Sequence, residues 1–253
     1  MDKIKAVIFD FIGTLANLVG YSLEKAEDKL FRSLLKSGFN LSRENFFEAY
    51  NKAYQRHCKV RYQQLIEVTN AVWISEALGY LGYNVTPEDE RINTAVNRFF
   101  EDYLAALKLR SSAKQTLMKL YNRYKLGIVT NYTYAPVIYA ALRKLKINDF
   151  FNVVVVSEAA GWRKPNPKIF HEALKALSVE ADEAIFVGDT PSEDIEGAKR
   201  VGMKTICIPS QFNSLEDMQR APQRADYTIE KLSDILAIFN TRGHNKFKAQ
   251  ALP

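Results

Sequence analysis

Cysteine is nearly absent. Cys58 and Cys207 are the only two among 253 residues, far apart and without a Cys-x-x-Cys partner, so no disulfide framework organises the chain and the pair fits a reducing compartment. Histidine is also scarce, with three. His57-Cys58 are neighbours in sequence, which does not make a catalytic pair, and the pair is expected inside or just past a helix over Arg43–Arg56. His171-Glu172 has Lys175 where the second histidine of a zinc-binding His-Glu-x-x-His would stand, and His244 lies in a polar tail. No run approaches the ~20 consecutive apolar residues that cross a bilayer, which removes a membrane partner. The apolar start is broken by Asp10 and lacks a small-residue cleavage site, so it does not read as a leader; a cytoplasmic protein is expected. Eleven glycines and eight prolines exclude collagen-like or low-complexity character. Thirty-five basic against 29 acidic residues give a net charge of +6, spread over helices and a tail rather than clustered with stacking aromatics, which argues against nucleic acid as a partner. Neither Gly-x-Gly-x-x-Gly nor Gly-x-x-x-x-Gly-Lys-Ser/Thr occurs, so a nucleotide is not expected.

What the chain does have is alternation. At roughly 150 residues per domain, 253 residues suit one large domain or one carrying an insertion. Five short apolar, β-branched runs, Ile4–Phe9, Leu126–Val129, Val153–Val156, Ala184–Val187 and Thr205–Ile208, read as strands buried on both faces. Helical periodicity fills Ser112–Tyr124, Ala135–Leu145, Pro167–Leu177 and Ser192–Val201. Strand and helix in turn predict a doubly wound α/β fold, a Rossmann-like parallel sheet. The first gap breaks the rhythm: residues 19–107 are helical in pattern, with Ser22, Ser42 and Pro87 as starts and Gly38 and Gly82 as ends. This predicts an all-α insertion at 19–107, a core formed by 1–18 with 108–240, and a polar basic tail at 241–253. Phe46, Phe47, Tyr50, Tyr54, Phe99, Phe100 and Tyr103 recur at helical spacing and are expected to form the insertion's own core.

In an open α/β sheet, ligands bind beyond the carboxyl ends of the strands. Those positions hold Asp10-Phe11-Ile12-Gly13-Thr14, Thr130-Asn131, Arg163-Lys164-Pro165 and Asp189-Thr190-Pro191-Ser192-Glu193-Asp194. Singly each has an ordinary reading: a turn cap, a strand end, a loop lysine, carboxylates at a helix start. Together they line one edge. Asp10, Asp189 and Asp194 make a hard oxygen set suited to Mg²⁺. Gly13 and Thr14 would offer backbone N–H groups, Thr130 a hydroxyl and Lys164 a compact cation to a phosphate, with Asn131 beside them. A carboxylate so placed can attack phosphorus and become an aspartyl-phosphate.

The motifs VIFDFIGTL, IVTN, GWRKPNPKIF and FVGDTPSEDIEGA resemble, in order, the four motifs of the haloacid dehalogenase superfamily of hydrolases, and the resemblance covers nearly the whole chain. It implies a Rossmann-like core with a helical cap after the first strand. It implies Asp10 as nucleophile, Thr130 and Lys164 as phosphate ligands, and Asp10, Asp189 and the Ile12 carbonyl on Mg²⁺ with Asp194 in support. It also implies a small phosphorylated substrate; no oligomeric state is assigned. One position departs. Phosphatases of this superfamily carry Asp two residues after the nucleophile as general acid and base, and here that residue is Ile12. The expected consequences are an acid recruited from the cap (Tyr21, Glu24 and His57 are candidates), help from the substrate, or a slow enzyme. The alternatives are phosphonate cleavage through a Schiff base on a cap lysine (Lys25, Lys29, Lys36, Lys52 or Lys59), 2-haloacid dehalogenation, whose enzymes lack the paired acids, and a non-catalytic phosphate-binding protein.

Overall fold

The computed structural model describes residues 3–240; the expected tail at 241–253 lies outside them. In chain order the elements are β1 (Ala6–Phe9), β2 (Ala16–Leu18), α1 (Leu23–Lys36), α2 (Arg43–Gln63), α3 (Asn70–Tyr80), α4 (Glu90–Ala106), β3 (Leu107–Leu109), α5 (Ala113–Tyr121), β4 (Lys125–Thr130), α6 (Ala135–Lys144), β5 (Val153–Val156), α7 (Ser157–Ala160), α8 (Pro167–Leu177), β6 (Ala184–Gly188), α9 (Glu196–Arg200), β7 (Lys204–Cys207), α10 (Leu215–Arg220), β8 (Tyr227–Thr228) and α11 (Ile235–Asn240). Six strands form one sheet in the order β5-β4-β1-β6-β7-β8, parallel at every pairing.

The sheet is covered on both faces, as its almost unbroken apolar strands require. Along β1, Val7 and Phe9 face one side with Leu126, Ile128, Leu117 and Ile138. Ala6 and Ile8 face the other with Phe186, Ile169, Phe170 and Ala173, the alternation that a strand imposes. All five expected strand runs are strands, and the helix expected over Pro167–Leu177 has those bounds.

Between β1 and α5 the chain leaves and re-enters the sheet through a two-stranded antiparallel ribbon, Ala16↔Leu109, Asn17↔Lys108 and Leu18↔Leu107. Helices α1–α4 lie between its strands. Of these, α1 and α4 are clearly amphipathic and α3 is largely apolar. The Ser22 and Ser42 hydroxyls cap α1 and α2 by accepting the N–H groups of Lys25 and Asn45, and Gly38 and Gly82 follow α1 and α3 with left-handed φ of 93° and 87°. Phe46, Tyr50, Phe99, Phe100 and Tyr103 are buried here, while Phe47 and Tyr54 pack at the margin.

Several boundaries differ from expectation, three of them with a clear local cause. The helix expected at Arg43–Arg56 runs to Gln63, because no Gly or Pro interrupts it. The helix expected from Pro87 starts at Glu90, where the Asp89 carboxylate accepts the Arg91 N–H and so sets the first turn. The helix expected over Ser192–Val201 opens instead as a wide π turn, Pro191–Ile195, before α9. There Asp194 turns inward and accepts the Thr190 N–H at 2.9 Å, a bulge of the kind found at functional sites.

Candidate functional site

Because the six strands are parallel, β1, β4, β5, β6 and β7 all end at one edge. Asp10 follows β1, with its N–H on the Val187 carbonyl at 2.9 Å. Thr130 closes β4, and Asp189 follows β6. Asp10, Asp189 and Asp194 each place a carboxylate oxygen within 4.8 Å of the others. Lys164 reaches into this cluster. Its ammonium donates to Asp10 Oδ1 at 2.7 Å and to Asp194 Oδ1 at 2.6 Å, with the side chain 2% exposed.

The charges do not balance: three buried carboxylates face one lysine. Burial pushes the Asp10 carboxyl up to about 6, with Lys164 pulling it back and Asp189 adding to the rise. Burial first, then Asp194, raise Asp189 to about 6. Burial takes Asp194 to about 7 against the opposing pull of Lys164. Two negative charges in excess, all on hard oxygens, are the donor set of a divalent cation such as Mg²⁺. The residues present therefore fit a metal.

The walls are built to hold those carboxylates. Ser210, just past β7, donates its hydroxyl to Asp189 Oδ2 at 2.5 Å, and the Thr14 hydroxyl lies 3.4 Å from Asp189 Oδ1. Gly13 sits at φ +97°, and a Cβ there would collide with the Asp189 carboxylate; only glycine meets both conditions. At Gly188, whose φ is ordinary, a Cβ would collide with the Asp194 carboxylate. Arg110, the first residue after β3, donates to the Gly13 carbonyl at 2.5 Å and the Pro209 carbonyl at 2.8 Å, tying the loop after β1 to the loop after β7.

Two expectations for phosphate ligands change. The Gly13 N–H donates to the Ala16 carbonyl at 2.7 Å, closing the tight turn into β2, and is spent there. Asn131 does not present its amide to the centre: Oδ1 accepts the Lys164 N–H at 2.7 Å, and Nδ2 donates to the Lys164 carbonyl at 3.0 Å and to Glu193 at 2.8 Å. It brackets the Lys164 peptide. Ile12 is half-buried and packs against the apolar cluster.

Above the edge, aromatic residues of the insertion meet the loop after β4. Tyr103 contacts Tyr21 edge-on at 5.2 Å and Tyr132 at 5.1 Å, and Phe100 stacks on Tyr134 at 5.0 Å. Burial raises the Tyr103 phenol, with a further contribution from the charge of Asp10, so it stays protonated. Of the three acids considered for the role vacant at Ile12, Glu24 is exposed and His57 is paired with Glu76 at 2.6 Å. Tyr21 alone belongs to the aromatic group.

The strand-edge rule applied to β7 would have found Ser210. Arg110 carries no signal of its own, because its partners Gly13 and Pro209 are distant in sequence.

A doubly wound parallel sheet with a buried carboxylate–lysine cluster at its carboxyl edge is the frame of a hydrolase site whose oxygens could accept a divalent metal. The chain matches the haloacid dehalogenase-like hydrolases over residues 7–208 and belongs to that family. It is 33% identical over 252 residues to a glyceraldehyde 3-phosphate phosphatase of Pyrococcus abyssi, covering 96% of this chain and 97% of that one. Among solved structures it resembles a 2-haloacid dehalogenase from Pseudomonas syringae pv. Tomato DC3000 (TM-score 0.68, 26% identity, 93% of this chain and 98% of that one). It also resembles a phosphatase of the same family from Thermococcus onnurineus (TM-score 0.56, 25% identity, 94% and 98%).

Proposed function

We propose that this chain is a Mg²⁺-dependent phosphohydrolase acting on a small phosphorylated metabolite, a three-carbon phosphate being the best-supported class, by way of an aspartyl-phosphate on Asp10. The observation that carries it is the buried triad Asp10, Asp189 and Asp194 with Lys164 between two of its members. Full-length similarity to glyceraldehyde 3-phosphate phosphatases supports the substrate class. Residues 19–107 act as a cap over the site, and the absence among the described residues of a helix long and apolar enough to cross a membrane accords with a cytoplasmic location.

Asp10, Asp189 and the Ile12 carbonyl would hold the metal, with Asp194 behind them. When bound, Mg²⁺ supplies positive charge to the phosphoryl oxygens. Lys164 holds Asp10 Oδ1 and adds a cation where negative charge gathers, and the Thr130 hydroxyl donates to a phosphoryl oxygen. Asp10 attacks phosphorus: its carboxylate oxygen bonds to phosphorus as the ester P–O bond breaks, and the electron pair leaves with the substrate oxygen. Ile12 offers no proton, so that oxygen takes one from solvent or from the substrate itself. Water then attacks phosphorus, releasing phosphate and restoring the carboxylate.

The alternatives fare worse. A Schiff base needs a desolvated amine, and Lys25, Lys36, Lys52 and Lys59 are exposed while Lys29 is paired with Asp102 at 2.6 Å. Dehalogenation leaves the paired acids Asp189 and Asp194 without a purpose. The test is turnover of p-nitrophenyl phosphate and glyceraldehyde 3-phosphate with added Mg²⁺, beside Asp10→Asn. Activity lost in Asp10→Asn is expected, and activity kept there would remove the nucleophile.

A further inference from the structure

The loop between α2 and α3 belongs to the helical insertion, yet it is joined to the core beside the site. Ile66 pairs with Trp162 in an antiparallel bridge. The Glu67 N–H donates to the Gly161 carbonyl and the Arg163 N–H to the Leu65 carbonyl, both at 3.0 Å. At the centre of this junction the Glu67 side chain has no exposed surface. Oε1 accepts Arg61 Nε at 2.6 Å. Oε2 accepts the Ser157 hydroxyl at 2.5 Å and lies 3.5 Å from Arg163 Nη1.

Each core partner leads on to a loop of the site. Ser157 Oγ accepts the Tyr132 N–H at 2.8 Å, two residues past Thr130. Arg163 precedes Lys164 and donates to Glu193 at 3.2 Å. The other oxygen of Glu193 accepts from Asn131 at 2.8 Å, and Asn131 brackets the Lys164 peptide. A single cap-borne carboxylate therefore braces the loops after β4 and β5 and, through Arg163 and Glu193, the loop after β6.

We infer that Glu67 is a positioning residue through which docking of the helical cap sets the phosphate-binding geometry of Lys164 and Thr130. This rests on the function proposed above for those two residues. A carboxylate is required because two buried guanidinium groups, Arg61 and Arg163, meet on it; an amide of the same shape leaves Arg61 without its carboxylate partner and Arg163 with Glu193 alone. Binding is reciprocal: phosphate held by Lys164 and Thr130 favours the docked cap by the same factor that docking favours phosphate.

The test compares the full-length protein with Glu67→Gln, Ser157→Ala and Asp10→Asn, reading kcat and KM for p-nitrophenyl phosphate and Ki for inorganic phosphate at saturating Mg²⁺. Lost folded protein lowers apparent kcat but moves neither KM nor Ki. The inference predicts KM and Ki raised about tenfold in Glu67→Gln, the scale on which outer-shell partners act, and raised to a lesser degree in Ser157→Ala. Unchanged KM and Ki in folded Glu67→Gln overturn it; should that variant not fold, unchanged values in Ser157→Ala do so. Turnover surviving in Asp10→Asn, or absent from the wild type, strikes instead at the function on which the inference rests, so the two failures are distinct.

Discussion

At the scale of single residues, the site is governed by Ile12 as much as by Asp10. A positioned general acid contributes about 10²–10⁴-fold, and an isoleucine packed against the core contributes none of it. The barrier should then depend strongly on how well the departing oxygen carries negative charge. Aryl and acyl phosphates should turn over faster than alkyl esters of equal size, with log kcat falling steeply as leaving-group pKa rises. A flat plot across p-nitrophenyl, acetyl and glycerol phosphates would show that another group delivers the proton. Tyr21 and Tyr103 would then be the residues to substitute.

At the scale of elements, the ribbon of β2 and β3 decides how the insertion meets the sheet, and Arg110 just beyond it locks two site loops together. Hydrogen bonds from a charged donor are each worth about 1.5–3 kcal/mol, so Arg110→Ala should loosen the Gly13 and Pro209 carbonyls. The expected result is a fall of at least about tenfold in kcat/KM and weaker apparent Mg²⁺ affinity, read by metal titration of the rate. Arg110→Lys, able to reach one carbonyl only, should lie between. Wild-type behaviour in Arg110→Ala would contradict this role. Such elements are where sequence reading reaches its end. The five buried strands and α8 are legible because burial on both faces, or on one stripe, writes a period into the residues. The two- and three-residue strands β2, β3 and β8 are too short to carry a period. Asp10, Thr130, Lys164, Asp189 and Asp194 are legible because the strand-end rule locates them. Glu67 and Arg110 are not, since their roles come from core partners tens of residues away, whereas Ser157 stands at the end of β5 and only its partner Glu67 is hidden by sequence distance. Gly13 was legible as a loop glycine but not in its hydrogen bonding, because the turn into β2 that consumes its N–H is a tertiary feature.

At the scale of the whole molecule, the excess negative charge links metal binding, pH and stability. Asp10, Asp189 and Asp194 have folded-state values near 6, 6 and 7, above the ~3.9 of an unfolded aspartate. A carboxyl whose value is raised by folding stabilises the fold fully below its unfolded value, and that stability is lost as pH rises through its folded value. Without metal, the site therefore costs the protein stability progressively from about pH 4 to pH 7. Mg²⁺ competes with protons for the same oxygens. Its stabilising effect, read as the rise in Tm on adding Mg²⁺, should be larger near pH 8 than near pH 5. An equal rise at both values would place the metal elsewhere.

The proposed chemistry is covalent: phosphate would pass to Asp10 and then to water. Acid quenching during turnover, borohydride reduction of the acyl phosphate and peptide mass spectrometry read this directly. The account predicts homoserine in place of aspartate at position 10 in the wild type, and none without substrate. Steady turnover with Asp10 unmodified, or the mark on another carboxylate, would contradict it.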